Sequence, residues 1–314
     1  MPEGSGALAP ARSDFVAEAL NGLTAPRKSL PPKFFYDDAG CTLFGAITEL
    51  PEYYPTRTEL GILRDIAGDL AALVPPGAAL VEYGASDEAK AAILFAALDV
   101  DAYVPIDIAH QALTALKSRL RWSHRAVALH PIAADFLAPV KLPAAIGAMP
   151  KLGFFPGSTI GNLDPPDAIA FLRQVRTTLG VCASLLIGVD LEKSPDILVP
   201  AYDDAAGVTA AFNLNMLTRL NREADADFDL DLFAHRAVWN DTAKRIEMHL
   251  ESLVAQSVRV AGRTIRFRAG ETIHTENSYK FSIERFAGLA TRAGWHVARS
   301  WTDAERLFSV HLLS

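Results

Sequence analysis

Several short groups of residues in this chain have the types and spacing for chemistry. In Ala79-Leu-Val-Glu-Tyr-Gly-Ala-Ser-Asp-Glu-Ala-Lys90 an apolar run stops at Gly84, and an apolar-periodic stretch through Ala91, Ile93, Leu94 and Leu98 follows. A strand, a glycine turn and a helix N-terminus capped by Ser86 or Asp87 make a place for a nucleotide-like ligand, because first-turn N–H groups lack partners there. The turn reads Gly84-Ala85-Ser86, where a nucleotide loop usually offers Gly-x-Gly. Asp107 lies 23 residues past Gly84, the spacing of an acid that accepts both hydroxyls of a ribose; its other reading is a cap on the next helix. Asp135-Phe136 joins an acceptor for an exocyclic amine to an aromatic face, which suits adenine. In Phe155-Pro-Gly-Ser-Thr-Ile-Gly-Asn162 the amide of Asn162 can accept from an amine while donating elsewhere, or else satisfy its own turn. Tyr202, in Ala201-Tyr-Asp-Asp204, adds a phenol. Glu276 and Ser278 stand two apart, so in an extended segment they project from one face. A carboxylate and a hydroxyl side by side hold both nitrogens of an imidazole; the plainer reading is an exposed strand face. No nucleophile–base–orienter set stands out. The histidines lack metal-ligand spacing, so His249 and His274 read as surface or packing residues and Met248 as core or pocket wall.

The elements that must position these groups alternate. Strands are expected at 80–83, 102–106, 127–131, 152–155 and 183–189, with helices at 89–98, 109–120 and 165–179 between them, the pattern of a doubly wound parallel sheet. Upstream, 14–23 reads as a helix. Residues 28–57 read as a long loop broken by Pro31, Pro32, Pro51 and Pro55 and dense in aromatics, including Tyr36, Phe44 and Tyr53; such loops build sites. A helix is expected over 58–73 and another over 201–222. Hairpins turn at Asn240-Asp241 and Ala261-Gly262. The last two strands, 295–301 and 307–313, are too close for a crossover helix and must pair antiparallel. Parallel strands ending in an antiparallel hairpin are the ending of a class I methyltransferase sheet, whereas a dinucleotide dehydrogenase continues in parallel.

The bulk properties narrow the function further. With 314 residues, half of them apolar and 21% charged, the chain suits one large core or a main domain with a companion. A net charge of −7 argues against nucleic acid as partner. Cys41 and Cys182 indicate neither a disulfide framework nor a zinc site. There is no secretory signal pattern and no apolar segment of spanning length, so a cytoplasmic protein without a membrane partner is expected, and a monomer.

With these pieces together, the chain resembles the histidine Nα-methyltransferases of ergothioneine biosynthesis. The likeness rests on Lys28-Ser-Leu-Pro-Pro-Lys-Phe-Phe-Tyr-Asp37, Leu50-Pro-Glu-Tyr-Tyr-Pro-Thr-Arg57, Gly157-Ser-Thr-Ile-Gly-Asn162, Ala201-Tyr-Asp-Asp204, Gly207-Val-Thr-Ala-Ala-Phe-Asn213, Arg245-Ile-Glu-Met248 and 275–281. It implies an α/β fold: a class I, Rossmann-like sheet with a terminal antiparallel hairpin as S-adenosylmethionine-binding domain (58–194 and 285–314). An α+β substrate-binding domain would come from 14–57 and the insertion 195–284; residues 1–13, rich in Gly, Pro and Ala, are expected to be disordered. It implies S-adenosyl-L-methionine as methyl donor, no metal, and the α-amino group of L-histidine as acceptor, methylated up to three times to hercynine. Carried over by motif, Asn162 and Tyr36 act at the amine, Tyr202 binds the α-carboxylate, and Tyr53 and Phe44 close the pocket. Glu276 and Ser278 hold the imidazole beside Met248. Gly84, Ser86, Lys90, Asp107, Asp135 and Phe136 hold the donor. The departure is Ser86, which stands where the family shows a second glycine. A relative that binds a histidine-like ligand without transfer, or one acting on another amino acid, are the alternatives this leaves.

Overall fold

The computed structural model of the chain describes residues 8–85, 88–123 and 126–314. Ser86 and Asp87, the expected helix caps, lie outside the described residues, as do 1–7 of the terminus expected to be disordered. Helix α1 (Leu8–Thr24) includes the expected 14–23 and begins upstream of it.

Residues 28–57 are not the long loop that their prolines suggest. Pro32 opens a 3-10 turn, Pro32–Phe35. Asp37 then caps α2 (Asp38–Thr48) by accepting from the Gly40 N–H at 2.8 Å. Pro55 lies in the first turn of α3 (Tyr54–Asp65). A proline costs nothing in a first turn, where its missing N–H would have had no helical partner, so here prolines start helices. The helix expected over 58–73 is two, α3 and α4 (Ala67–Leu73), which meet at Ile66. Their buried face runs Glu59, Ile62, Leu63, Ile66, Leu70, so a carboxylate stands on an apolar stripe.

The alternating region follows: β1 (Ala78–Tyr83), α5 (Ala89–Ala97), β2 (Val100–Asp107), α6 (His110–Ser123), β3 (Ala128–Leu129), β4 (Ile132–Ala133), β5 (Lys151–Phe155), α7 (Pro165–Leu179) and β6 (Ser184–Asp190). The expected strand 127–131 is the pair of short pieces β3 and β4. Pro131 stands between them and has no N–H to give a ladder. After β6 come α8 (Pro195–Leu198), α9 (Val208–Glu223), β7 (Phe233–Asn240), β8 (Arg245–Ser252), β9 (Gln256–Val260), β10 (Arg263–Phe267), β11 (Thr272–Tyr279), α10 (Ile283–Arg292), β12 (Val297–Thr302) and β13 (Phe308–Leu313). The helix expected from 201 starts only at Val208. Asp204 takes the N–H groups of Val208 and Thr209, at 2.9 and 2.8 Å, and Gly207 turns through φ +74°. The preceding residues are therefore a capped turn.

The chain folds as two units, Met1–Tyr53 with Ser194–Asn277, and Tyr54–Lys193 with Ser278–Ser314. In the second unit the strands run β12-β13-β6-β5-β1-β2-β3, with β4 also on β2. β2, β1, β5 and β6 are parallel, while β13 lies antiparallel between β6 and β12. Both faces of β1 are buried, as a parallel strand between helical layers requires. Leu80, Leu152, Phe154, Leu186 and Val310 pack with Leu63, Leu70, Leu94 and Leu116 of the helices in one core. Strand order reverses between β1 and β5, the point of an open sheet where ligands bind beyond the carboxyl ends. In the first unit β7 and β8 form an antiparallel hairpin, β11 lies on the other side of β8, and β9 pairs with β10.

Gly188, in the middle of β6, leaves room for Glu59: a Cβ there would meet Glu59 Oε1 at 2.0 Å and Phe308 Cε1 at 3.0 Å. Gly188→Ala is expected to destabilise by about 1–3 kcal/mol, the usual cost of overpacking a filled core. Urea denaturation checks it, and an unchanged midpoint would show that Glu59 is free to withdraw.

Candidate active site

The residues of the second unit expected to hold the donor lie toward the carboxyl edge of its parallel strands. Gly84 follows β1 with φ +78°, a conformation that a side chain resists, and its N–H donates to Ile106 O at 2.8 Å. Phe136 lies against it, with Cε1 3.7 Å from where a Cβ would stand. Phe136 also meets Phe155 and Phe171 at ring distances of 5.5 and 5.7 Å, and Tyr83 meets Phe171 at 5.8 Å. Asp107 ends β2, and its Oδ1 accepts from the N–H of Ala109, the residue before α6, at 2.7 Å. Burial raises its pKa, against the backbone bonds from Ala109 and Ile108. Asp135 accepts from the Leu137 N–H at 2.9 Å. Lys90, in the first turn of α5, pairs with Glu59 at 2.7 Å. A bare glycine turn, a neighbouring aromatic face, acids at successive strand ends and a lysine at the helix start fit an adenosyl group bearing an amino-acid tail. Ser86 lies outside the described residues.

The loop after β5 is held from several sides. Gly157 has φ +78°, and its N–H donates to both oxygens of Glu59, at 2.8 and 3.1 Å. Ser158 is left-handed at φ +57°, and its hydroxyl accepts from the Asp190 N–H at 2.9 Å. Gly161 passes so close to Tyr279 that a Cβ would meet the Tyr279 carbonyl oxygen at 2.7 Å. Asn162, half-buried, ends the 3-10 turn Thr159–Asn162 that these contacts fix. Asp190 itself is fully buried at the end of β6. Its carboxylate accepts from Tyr54 Oη at 2.8 Å and pairs with Lys193 at 2.7 Å and Lys280 at 2.6 Å. Burial opposes its charge, but Lys280 and Lys193 outweigh that and hold it below the usual carboxylate range. Burial also lowers Lys193 to about 8. Lys280 donates to Ser278 Oγ at 2.8 Å.

In the first unit the aromatic residues expected to build a site come together. Tyr36 meets Phe44 at 6.0 Å, Phe44 meets Tyr53 at 6.3 Å, and Tyr53 meets Tyr202 at 6.2 Å. Phe212 of α9 anchors this wall, 6.0 Å from both Tyr36 and Phe44 and stacked on Phe35 at 4.4 Å. Met248 is buried on β8, and its carbonyl accepts from Thr275 Oγ1 of β11 at 3.0 Å. Glu276 follows at 8% exposure and Ser278, in the second unit, at 5%, so β11 does not present them as an exposed strand face. His249 and His274 meet with their rings tilted and centroids 5.1 Å apart. Among the described residues no group of three or more His, Cys, Asp or Glu is placed to hold a metal ion.

Glu59, Phe212, His235, Asp190 and Lys280 escape the sequence reading. Only Glu59 leaves a local signal, as an acid three, four and seven residues before Ile62, Leu63 and Ile66 on a helix.

The sheet order and the strand-end residues define a class I, Rossmann-like, S-adenosylmethionine-dependent methyltransferase. A solved S-adenosylmethionine-dependent methyltransferase from Clostridium acetobutylicum shares the fold, with TM-score 0.52, 9% identity and coverage of 87% of this chain and 98% of that one. Residues 15–314 match the family described as "Histidine-specific methyltransferase, SAM-dependent", and the chain belongs to that family. It is 42% identical to the histidine N-alpha-methyltransferase of Mycolicibacterium smegmatis over 96% of each chain. The Mycobacterium tuberculosis protein of the same name is 40% identical over 94% of this chain and 93% of its own. Ergothioneine biosynthesis protein 1 of Neurospora crassa is 29% identical over 91% of this chain and 33% of its own length.

Within the first unit, Tyr202 is set by a buried histidine. Asn213 Nδ2 donates to the His249 carbonyl at 3.0 Å, which can only accept. The same amide nitrogen lies 2.8 Å from His235 Nδ1, so Nδ1 must accept too. Nε2–H then donates to the Tyr202 carbonyl at 2.8 Å, and the ring is neutral. Burial lowers the His235 pKa, outweighing the Tyr202 bond, Asp203 and Asp204, which act the other way. An unfolded chain takes up this proton near pH 6.5 while the folded one resists, so stability falls as pH drops below about 6.5. His249 and His311, the latter lowered to about 4, add losses of the same sign. His235→Gln should therefore show a smaller fall in Tm between roughly pH 7 and 5 than the wild type. An identical fall would mean that His235 is already charged in the folded chain.

Proposed function

We propose that this enzyme methylates the α-amino group of L-histidine, up to three times, giving hercynine for ergothioneine biosynthesis. The observation that carries the choice of acceptor is Glu276, an acid buried to 8% exposure on the strand beside that of Met248. An imidazole N–H can donate to such a carboxylate, whereas an apolar side chain in its place offers it no donor. Identity to two mycobacterial histidine N-alpha-methyltransferases along nearly the whole chain supports the same reading.

Bound S-adenosylmethionine supplies a methyl group already made electrophilic by its sulfonium. The chain has to present a neutral amine lone pair in line with the breaking bond, and positioning of that kind supplies roughly 7–11 kcal/mol of a barrier in favourable cases. In this reading Asn162 accepts from the amine N–H through its amide oxygen and so turns the lone pair, and Tyr36 also acts at the amine. Tyr202 donates to the α-carboxylate, while Tyr53 and Phe44 wall the amine. Glu276 accepts from one imidazole nitrogen, Ser278 serves the other, and Met248 flanks the ring. Gly84, Lys90, Asp107, Asp135 and Phe136 hold the donor. As methyl groups accumulate the nitrogen becomes a fixed cation, and the faces of the aromatic wall attract it without needing a hydrogen bond.

The roles divide the molecule into a donor-binding domain built on the parallel sheet and a substrate-binding domain built on the first unit. We place the enzyme in the cytoplasm as a monomer acting on a small molecule; its net charge of −7 supports a partner other than nucleic acid.

Mass spectrometry of a reaction with histidine and S-adenosylmethionine should show one, two and then three added methyl groups. Glu276→Ala should weaken histidine about 10–100-fold in isothermal titration, the cost of losing one partner of a buried polar contact. S-adenosylhomocysteine should bind that variant as it binds the wild type. Equal loss of both ligands would make Glu276 a structural residue instead.

A further inference from the structure

We infer that Glu59 is a positioning residue for the methyl donor: its carboxylate fixes the Lys90 ammonium and the Gly157 turn in one arrangement. The inference rests on the reading of Lys90 as a donor-binding residue.

Glu59 has no exposed surface and lies on the apolar face of α3 with Ile62, Leu63 and Ile66. A leucine would fill that face at lower cost, because taking a carboxylate out of water is repaid only by close, well-aligned partners. The partners present come from two segments distant in sequence. Lys90 Nζ lies 2.7 Å from Oε2, and the Gly157 N–H reaches both oxygens. The lysine is seated on the turn itself, with Nζ 3.5 Å from where a Gly157 Cβ would be. From behind, the bare Gly188 backbone gives the carboxylate its space. One buried acid thus sets where the Lys90 charge stands and how the loop leading to Asn162 begins. An unsupported lysine on a helix surface samples many rotamers. Held at this point, its ammonium is pre-organised for the carboxylate of an amino-acid tail.

The substitution Glu59→Gln keeps the volume and an acceptor for the Gly157 N–H but removes the charge that holds Lys90. Isothermal titration with S-adenosylhomocysteine and with methylthioadenosine, which lacks the amino-acid tail, separates positioning from general damage. Glu59→Gln and Lys90→Met are each expected to weaken S-adenosylhomocysteine about tenfold, the order of one charge-assisted contact. Both should leave methylthioadenosine within roughly twofold of wild type, and the double variant should be no weaker than Lys90→Met alone. Additive losses, or equal losses for both ligands, would overturn the inference. If Lys90→Met binds S-adenosylhomocysteine as the wild type does, the donor role of Lys90 fails and the inference with it. If Lys90→Met weakens that ligand and Glu59→Gln does not, the inference alone fails. Glu59→Asp, which keeps the buried charge but withdraws it by one methylene, is the second probe should the glutamine variant not fold. It should show the same ligand-selective loss, smaller in size, and wild-type affinity for both ligands would overturn the inference.

Discussion

The buried charge of Asp190 is the interaction on which the second unit most depends. It stands at the end of a central strand, where a parallel sheet stops and irregular backbone begins. Tyr54 at the start of α3, Lys193 just after β6 and Lys280 just after β11 all converge on its two oxygens. Its own N–H reaches the hydroxyl of Ser158 in the loop after β5. Apolar packing is non-directional and cannot fix a loop whose backbone has left the sheet ladder. A carboxylate with well-placed donors can, because each bond carries an angle as well as a distance. The desolvation cost is offset because two lysines and a phenol share one acid.

Glu59, packed on Gly188 of the same strand, repeats the device with a lysine and a backbone N–H in place of two lysines and a phenol. The two residues hold the start of the loop after β5, Glu59 at the Gly157 N–H and Asp190 at the Ser158 hydroxyl. The backbone they hold is itself unusual. Gly84, Gly157 and Ser158 all have positive φ at the carboxyl edge of the sheet, near the point where strand order reverses. Such conformations persist only where the surroundings over-determine them, and they collect at ligand sites for that reason. Rigidity at this edge therefore comes from charge, while rigidity of the sheet below it comes from apolar packing.

What is legible in the sequence follows the range of each interaction. Parallel strands buried on both faces read as short apolar runs, so β1, β2, β5 and β6 are found within a residue or two, and the closing antiparallel hairpin follows from chain length alone. Gly84, Asp107 and Phe136 are legible because strand ends fix where such residues must fall. Prolines mislead at 28–57 because the same residue that breaks a helix interior begins a helix. Asp204 misleads over 201–207 in the same way. Pro131 reads as part of a strand although it splits one. The aromatic wall is half legible: its members stand out in the sequence, but Phe212, which joins them, comes from a helix far along the chain with no periodicity linking the two. Glu59 is hidden by its pattern, since an acid on a helix is ordinarily solvated and the apolar spacing reads just as well from Leu60.

The reaction proposed explains why these two parts are built so differently. A neutral primary amine offers two N–H groups, the monomethylated amine one, and the dimethylated amine none. A site that gripped the reacting nitrogen by hydrogen bonds alone would lose its hold as the product forms. An aromatic wall keeps its attraction, and that attraction grows when the nitrogen becomes a permanent cation. Recognition must then rest on the ends of the substrate that do not change, the carboxylate and the imidazole, and a buried acid such as Glu276 suits that task. The donor is the opposite case: each turnover brings the same tail and the same ribose, so fixed charges and bare glycine turns serve it without compromise.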